Sequence, residues 1–264
     1  MKKLIFLVFS IVVVLLSFTF LQTNKTSQDA KEDMSSSSVN LNDASAQRII
    51  LNDKKITEDT TTYKINGVYP QISGISDKKI QERINKILEE YGQNLVKEFQ
   101  AEIITINDIP VGQKSEIFMD YDILQLSRQM ISFKFNISNY TTGAAHPNSF
   151  VHAITYDVIN DKPVLGLEDV FESEKDYLKV LSDLSRENMK AQFGTQFDSL
   201  RSSIEEGTAS NQENFSQFGI ARGTFNLYFN PYQVAPYAVG VVEVKIPYDQ
   251  LDEILRDDFI FKAK

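Results

Sequence analysis

Apolar residues recur along this chain in three rhythms, and each rhythm predicts an element. From Leu4 to Leu21 there is no charged residue, and only Ser10, Ser17 and Thr19 interrupt the apolar run. At a helical rise of about 1.5 Å per residue the run reaches about 27 Å, close to the hydrocarbon thickness of a bilayer, so it predicts a transmembrane helix. From Ser76 or Asp77 onward, Ile80, Ile84, Ile87, Leu88, Tyr91, Leu95 and Phe99 follow helical spacing, with Glu, Lys and Gln between them. That is the signature of a long helix with one apolar stripe on a core. A second such helix is predicted from about Ser173 to Phe193, with Tyr177, Leu178, Leu181, Leu184 and Met189 turned inward.

The third rhythm is alternation, the mark of a strand. "TTTYKINGVYPQI" reads as a strand ending at Tyr69-Pro70, and "IFMDYDILQLS" and "MISFKFNISNY" follow, the latter with Ile131, Phe133, Phe135 and Ile137 on one face. "SFVHAITYDVI" places Phe150, His152, Ile154, Tyr156 and Val158 on one face before "NDKP" turns the chain. "SLRSSIEEG" predicts a short helical piece and "TASNQENFSQFG" a polar loop. "ARGTFNLYFN" and "AVGVVEVKIP" predict two more strands, joined by "PYQVAP", whose prolines prevent regular pairing. Tyr248 to Leu255 predicts a last short helix. Strands, helix, strands, helix, strands without strict alternation argue an α+β fold: a mostly antiparallel sheet packed with two main helices, as one domain or two small α/β subdomains.

Composition adds an address. Residues 22 to 42 are rich in Ser, Asn, Thr, Lys and Asp and predict a flexible tether. Lys2 and Lys3 stand before the apolar run, and no clear cleavage site follows it, so an uncleaved anchor with the bulk of the chain outside the cytoplasm is expected. The formal charge is −9, and with the two lysines at positions 2 and 3 left on the inner side the exported part carries −11. Nucleic acid and anionic lipid surfaces are poor partners for it, whereas a cationic partner is steered toward it. The chain has no cysteine, which excludes disulfides, catalytic thiols, iron-sulfur clusters and cysteine-held zinc.

Two stretches also carry a family resemblance. "YPQISGISDKKIQERINKIL" resembles the start of domain-of-unknown-function family 4163, the PdaC-like family. "GAAHPNSFVHAITYDVINDKPVLGLEDVF" and "LYFNPYQVAPYAVGVVEVKIPYDQL" resemble family 3298, through a small-residue loop ending in His-Pro, a Tyr-Asp strand, a Leu-x-Asp-x-Phe helix entry and a late proline-tyrosine loop. The resemblance implies an exported α/β binding region like the outer part of RsiV-type anti-sigma factors, which binds lysozyme and then exposes the chain to proteolysis. It divides the chain into an anchor (1–23), a tether (24–44), a PdaC-like module (45–125) and a family-3298-like module (126–264). Only Met1 to Lys3 precede the predicted span, so a sigma-holding cytoplasmic domain is not expected, and neither is a polysaccharide deacetylase domain.

Candidate chemistry is sparse. His146 and His152 with Asp157 are too few and too poorly aligned for zinc, since His152 and Asp157 fall on opposite faces of one predicted strand. A turn-holding role for His146 and core packing for His152 are favoured. Asp120, Asp122, Asp157 and Glu243 lie on predicted strands and offer a carboxylate pair for glycan hydrolysis, the least supported reading. No serine-nucleophile elbow is present. No catalytic residue, metal or cofactor is therefore expected. The binding reading rests on loops. Tyr140, Thr141, Thr142, His146, Asn148 and Phe150 form the expected partner-binding loop. The expected partner is a cationic protein such as lysozyme, or else peptidoglycan. Phe215, Phe218, Tyr232 and Tyr237 offer further aromatic area, but Tyr232 and Tyr237, held between prolines, are expected to cover their own core.

Overall fold

Helix α1 (Lys78–Ile104) begins where a carboxylate can satisfy its first amides. Asp77 Oδ1 accepts from Lys79 N at 2.8 Å and from Ile80 N at 3.3 Å, the usual N-terminal cap. Its buried stripe is Ile84, Leu88, Gly92, Val96, Phe99 and Ile103, with Ile80, Ile87, Tyr91 and Leu95 packed beside it. These positions belong to a computed structural model that describes residues 48–104, 112–259 and 261. The predicted membrane helix over 4–21 and the tether lie outside the described residues, and among those described no helix is long and apolar enough to cross a membrane.

The described strands form two sheets within a single compact unit. The larger sheet has the order β1 (Ile50–Asp59), β2 (Tyr63–Ser73), β3 (Ser115–Leu126), β4 (Met130–Tyr140), β5 (Asn148–Asp157) and β6 (Lys162–Val164). Only β2 and β3 pair in parallel, and α1 supplies the crossover that parallel neighbours require. The smaller sheet is β7 (Phe218–Ile220), β8 (Thr224–Phe229) and β9 (Val242–Pro247), all antiparallel. Helices α2 (Tyr177–Phe193) and α3 (Phe197–Gly207) pack with this second sheet. The expected α+β class and mostly antiparallel pairing are what the structure shows.

Alternation on the central strands sorts two cores. Ile131, Phe133, Phe135 and Ile137 of β4 join Ile117 and Met119 of β3 under α1. At Gly92 a side chain would come within 3.3 Å of Tyr69 and 3.4 Å of Met119, so a missing Cβ lets α1 lie close on the sheet. Phe225, Leu227 and Phe229 of β8 and Val242, Val244 and Ile246 of β9 face the other core, with Leu181 and Met189 of α2 and Ile204 of α3. A bulge in β3 between Ile123 and Gln125 links the sheets, because Leu124 O there accepts from Arg222 N at 3.2 Å.

Several expectations are corrected. The second helix starts at Tyr177 rather than near Ser173, because Asp176 caps it by accepting from Lys179 N at 3.3 Å. Tyr248 to Leu255 is no continuous helix: a single 3-10 turn at Tyr248–Gln250 gives way to turns, and Leu255 bridges Phe171. The polar loop after α3 buries Phe215 and ends in β7. Strand β1 was invisible to the alternation rule because it is an edge strand, exposed on most of its length, whose only partner among the described strands is β2. The "NDKP" stretch is not all turn: Lys162–Val164, which takes in its last two residues, pairs with β5 as a short sixth strand.

The end of α3 supplies a test of packing. A Cβ on Gly207 would lie 2.1 Å from Gln233 O, a backbone atom that cannot step aside cheaply. Gly207→Ala is expected to destabilise the fold by about 1–3 kcal/mol through overpacking, read as a lowered denaturant midpoint. An unchanged midpoint would show that the 230–235 turn can shift.

Candidate functional site

The faces of the two sheets that do not enter either core meet one another, and they are polar. On β3 and β4 the cross-strand pairs are Phe118 with Ser138, Asp120 with Asn136 and Asp122 with Lys134. β5 continues these rows with Ser149, Val151 and Ala153. Opposite them stand Asn226 and Tyr228 of β8 and Glu243 and Lys245 of β9, the residues that alternate with the second core. Between the faces runs a groove of about 410 Å³ whose lining includes Phe118, Asp120, Asn136, Ser149, Tyr228 and Glu243.

Its polar groups are tied together. Lys134 Nζ lies 2.8 Å from Asp122 Oδ2 and 5.7 Å from the centre of the Tyr228 ring. Asn136 Nδ2 donates to Asp120 Oδ1 at 2.9 Å and Asp122 Oδ2 at 3.1 Å. Glu243 accepts from Asn226 Nδ2 at 3.1 Å and pairs with Lys245 at 3.3 Å. Burial pushes the Tyr228 hydroxyl well above its ordinary pKa, so it stays a neutral phenol. Burial also pushes the Asp122 carboxyl up, but hydrogen bonds from Lys134 and Asn136 and the charges of Lys134 and Lys245 outweigh it and hold the carboxyl below its ordinary value.

At one end of the groove two loops converge that sequence reasoning treated apart. The loop after β4 carries His146, and the loop after β8 carries Tyr232 and Tyr237. The His146 ring stacks on Tyr237 at 3.9 Å between centroids, and its Nε2 lies 3.3 Å from Tyr232 Oη. His146 Nδ1 approaches Pro147 O at 2.8 Å, the turn-holding contact expected of it, and Tyr237 Oη also donates to Pro147 O. Tyr232 is 66% exposed and has φ of 72°, a conformation that bulky residues rarely adopt. Gln233 fixes this turn by donating to Gly207 O at 3.2 Å and Asn214 O at 2.9 Å. The expectation that Tyr232 covers its own core is overturned: the prolines and Gln233 hold the turn, and the ring projects into solvent.

The other expected loop residues are placed unequally. Tyr140 is half-buried and borders a side cleft with Phe118, Ser138 and Pro147. Thr142 N donates to Ser115 Oγ at 2.9 Å, and Thr141 Oγ1 donates to Glu102 Oε1 at 2.9 Å, so both threonines fasten the loop to its scaffold. Asn148 is exposed beside His146, whereas Phe150 packs partly against the α1-side core. His152 stacks on Tyr91 at 4.7 Å, and burial lowers its pKa against the opposing hydrogen bond with Gln217. Asp157 caps a turn, accepting from Ile159 N and Asn160 N at 3.0 Å each. Of the four strand carboxylates, the structure gathers Asp120, Asp122 and Glu243 and leaves Asp157 out. Among the described residues no group of three His, Asp or Glu is placed to hold a metal ion.

Comparison with known proteins gives two family matches in tandem. Residues 56–149 match the model described as Deacetylase PdaC, and residues 168–249 match Protein of unknown function (DUF3298). Peptidoglycan-N-acetylmuramic acid deacetylase PdaC of Bacillus subtilis is 30% identical over 183 residues, covering 69% of this chain and 38% of that protein. Anti-sigma-V factor RsiV of Bacillus subtilis is 29% identical over 209 residues, covering 76% of this chain and 68% of that protein. The chain thus spans well under half the length of the deacetylase. A crystal structure of a DUF3298 family member from Bacteroides fragilis superposes with a TM-score of 0.61 at 19% identity, over 81% of this chain and 96% of that one, which shows the shared fold. The resemblance to both families and to the outer region of RsiV-type proteins holds.

The Asp122 pair can be tested by its pH dependence. A carboxyl held below its unfolded value stabilises the fold fully above that value and loses the effect as pH falls through the folded one. Lys134→Met is expected to cost roughly 0.5–1 kcal/mol at pH 7, as for a partly exposed pair, and less once Asp122 is protonated. Urea melts of both proteins at neutral and acid pH read this; an equal loss at both would assign Lys134 to packing alone.

Proposed function

We propose that this chain is a membrane-anchored, extracytoplasmic binding module of the bacterial cell envelope, without catalytic activity of its own. Its partner is a cationic protein, a lysozyme-like muramidase being the sharpest candidate. The observation that carries the reading is the convergence of the two loops into one cluster of exposed His146, exposed Tyr232 and half-buried Tyr237. Stacked aromatic rings with polar tips offer large contact area at low entropy cost, which suits a protein surface. The similarity to an anti-sigma factor supports the class, and the formal charge of −9 supports the sign of the partner. The backbone of Tyr232 supports the position, since strain of this kind is retained where a side chain must be presented.

The similarity to a deacetylase favours a second reading, an enzyme using the groove carboxylates. Asp122 is engaged by Lys134 and Asn136, and Glu243 by Lys245 and Asn226, which gives them structural partners rather than a proton-transfer role.

Anchoring through residues 4–21 predicts that the chain stays in the membrane fraction after alkaline extraction, with Lys264 accessible to protease from outside. Recovery of a soluble form whose N-terminus follows Leu21 would overturn it. For the surface, Tyr232→Gly is expected to leave stability unchanged or raised by up to about 1 kcal/mol, because glycine adopts positive φ freely, while weakening lysozyme binding by about 1 kcal/mol or more. Tyr140→Ala is expected to weaken it similarly, with the affinity of all forms falling as salt rises. Calorimetric titration beside thermal melting reads both. Undiminished affinity in the two variants would move the contact away from these loops.

A further inference from the structure

The groove itself is unlike the loop surface, and its chemistry is of another kind. Both cations near it are already engaged, Lys134 with Asp122 and Lys245 with Glu243, so an anionic ligand would meet no available counter-charge there. Acceptors remain. Asn136 directs its amide N–H groups to Asp120 and Asp122, which leaves its carbonyl oxygen to accept, and Asp120 has a second carboxylate oxygen beyond the one Asn136 engages. Ser149 Oγ donates to Ser138 Oγ at 3.5 Å, which leaves the Ser138 hydroxyl to donate and the Ser149 oxygen to accept. Phe118, on the same face as Asp120 and Ser138, is 45% exposed and offers a flat apolar surface beside these acceptors.

A ligand that fits must be rich in O–H donors, free of negative charge, and apolar on the face that covers an aromatic ring. A pyranose ring has that pattern, with hydroxyls around its rim and C–H bonds on its face. The volume of about 410 Å³ lies within the range of small-ligand sites and has room for a disaccharide-sized occupant. We propose that the groove between the two sheets binds a neutral oligosaccharide, with Phe118 stacking on a sugar ring and Asp120 and Asn136 accepting from its hydroxyl or amide groups. This site is separate from the loop surface and does not depend on the protein-partner reading.

The test titrates the 264-residue chain, purified in a non-glycosidic detergent, with N,N′,N″-triacetylchitotriose and with cellotriose, followed by saturation-transfer NMR and calorimetry. No protein partner is present, so failure here leaves the loop surface untouched. Saturable binding of at least one trisaccharide is expected. Phe118→Ala and Asp120→Asn should each weaken it about tenfold, the loss expected when a charged hydrogen-bond partner or a stacking face is removed. Tyr232→Gly should leave it unchanged, and the melting temperature of Phe118→Ala should confirm that this variant folds. The proposal is overturned by an absence of saturable binding of either sugar at millimolar concentration, or by binding that Phe118→Ala and Asp120→Asn do not weaken. Displacement of the sugar by a lysine hexapeptide with no sugar dependence on Phe118 would likewise overturn it, and would make Asp120 a counter-ion for a basic side chain.

Discussion

Everything in this molecule depends on β4 having two differently used faces. A strand that alternates apolar and polar residues usually turns its polar side to water. Here Phe133 and Phe135 are fully buried under α1, while Ser132 on the opposite face is fully buried as well and bonds Thr155 across the pair at 2.7 Å. The second sheet covers that opposite face with its own polar alternates. Each sheet ties its own polar side chains together, Lys134 to Asp122 in the larger and Asn226 to Glu243 in the smaller, and the groove exists because two such polar faces meet.

The same accounting explains how α1 is held. Beyond Gly67, β2 no longer pairs with β3, which leaves backbone groups of its later residues in need of partners. Asn85 of α1 supplies them: its Oδ1 accepts from Ile72 N at 2.7 Å and its Nδ2 donates to Ile72 O at 2.8 Å. One side-chain amide thus imitates a neighbouring strand for one residue. Gln71 returns the contact by donating to Asn85 O at 2.8 Å. The helix is set on the sheet by polar geometry at this end and by apolar packing around Leu88 and Phe99 along the rest.

Much of the fold was legible in the sequence because packing against a core imposes a period: on α1, β4, β5, β8 and β9 the apolar residues that enter a core recur regularly, even where the opposite face is covered as well, as on β4 and β8. What escaped were elements with no buried period: β1, exposed along most of its length, and β6 and β7, three residues long each. The site was legible only in pieces. Asp120, Asp122 and Glu243 could be named as strand acids, yet Lys134, Asn136 and Tyr228 carried no signal, since each is simply the polar member of an alternating strand. Their meeting depends on which faces the two sheets turn toward each other, a long-range fact that periodicity within a strand does not encode. Tyr232 was misread for a related reason. Prolines do stiffen its loop, but stiffness says nothing of direction, and the left-handed backbone that points the ring outward is set by Gln233 reaching Gly207 and Asn214.

The register of β1 has a mechanical consequence. Ile50 pairs with Ser73 at the open end of the hairpin, while Asp59 pairs with Lys64 beside the turn. A pull on the chain ahead of Ile50 would load the rungs one after another, from Ile50–Ser73 toward the turn, rather than shearing all of them together. Most of β1 is exposed, so little core resists the opening. Beneath it, Asn85 stays bonded to Ile72 and keeps β2 seated on α1. The edge strand would then act as a compliant leader, able to lengthen under tension while the two sheets and the groove between them keep their shape.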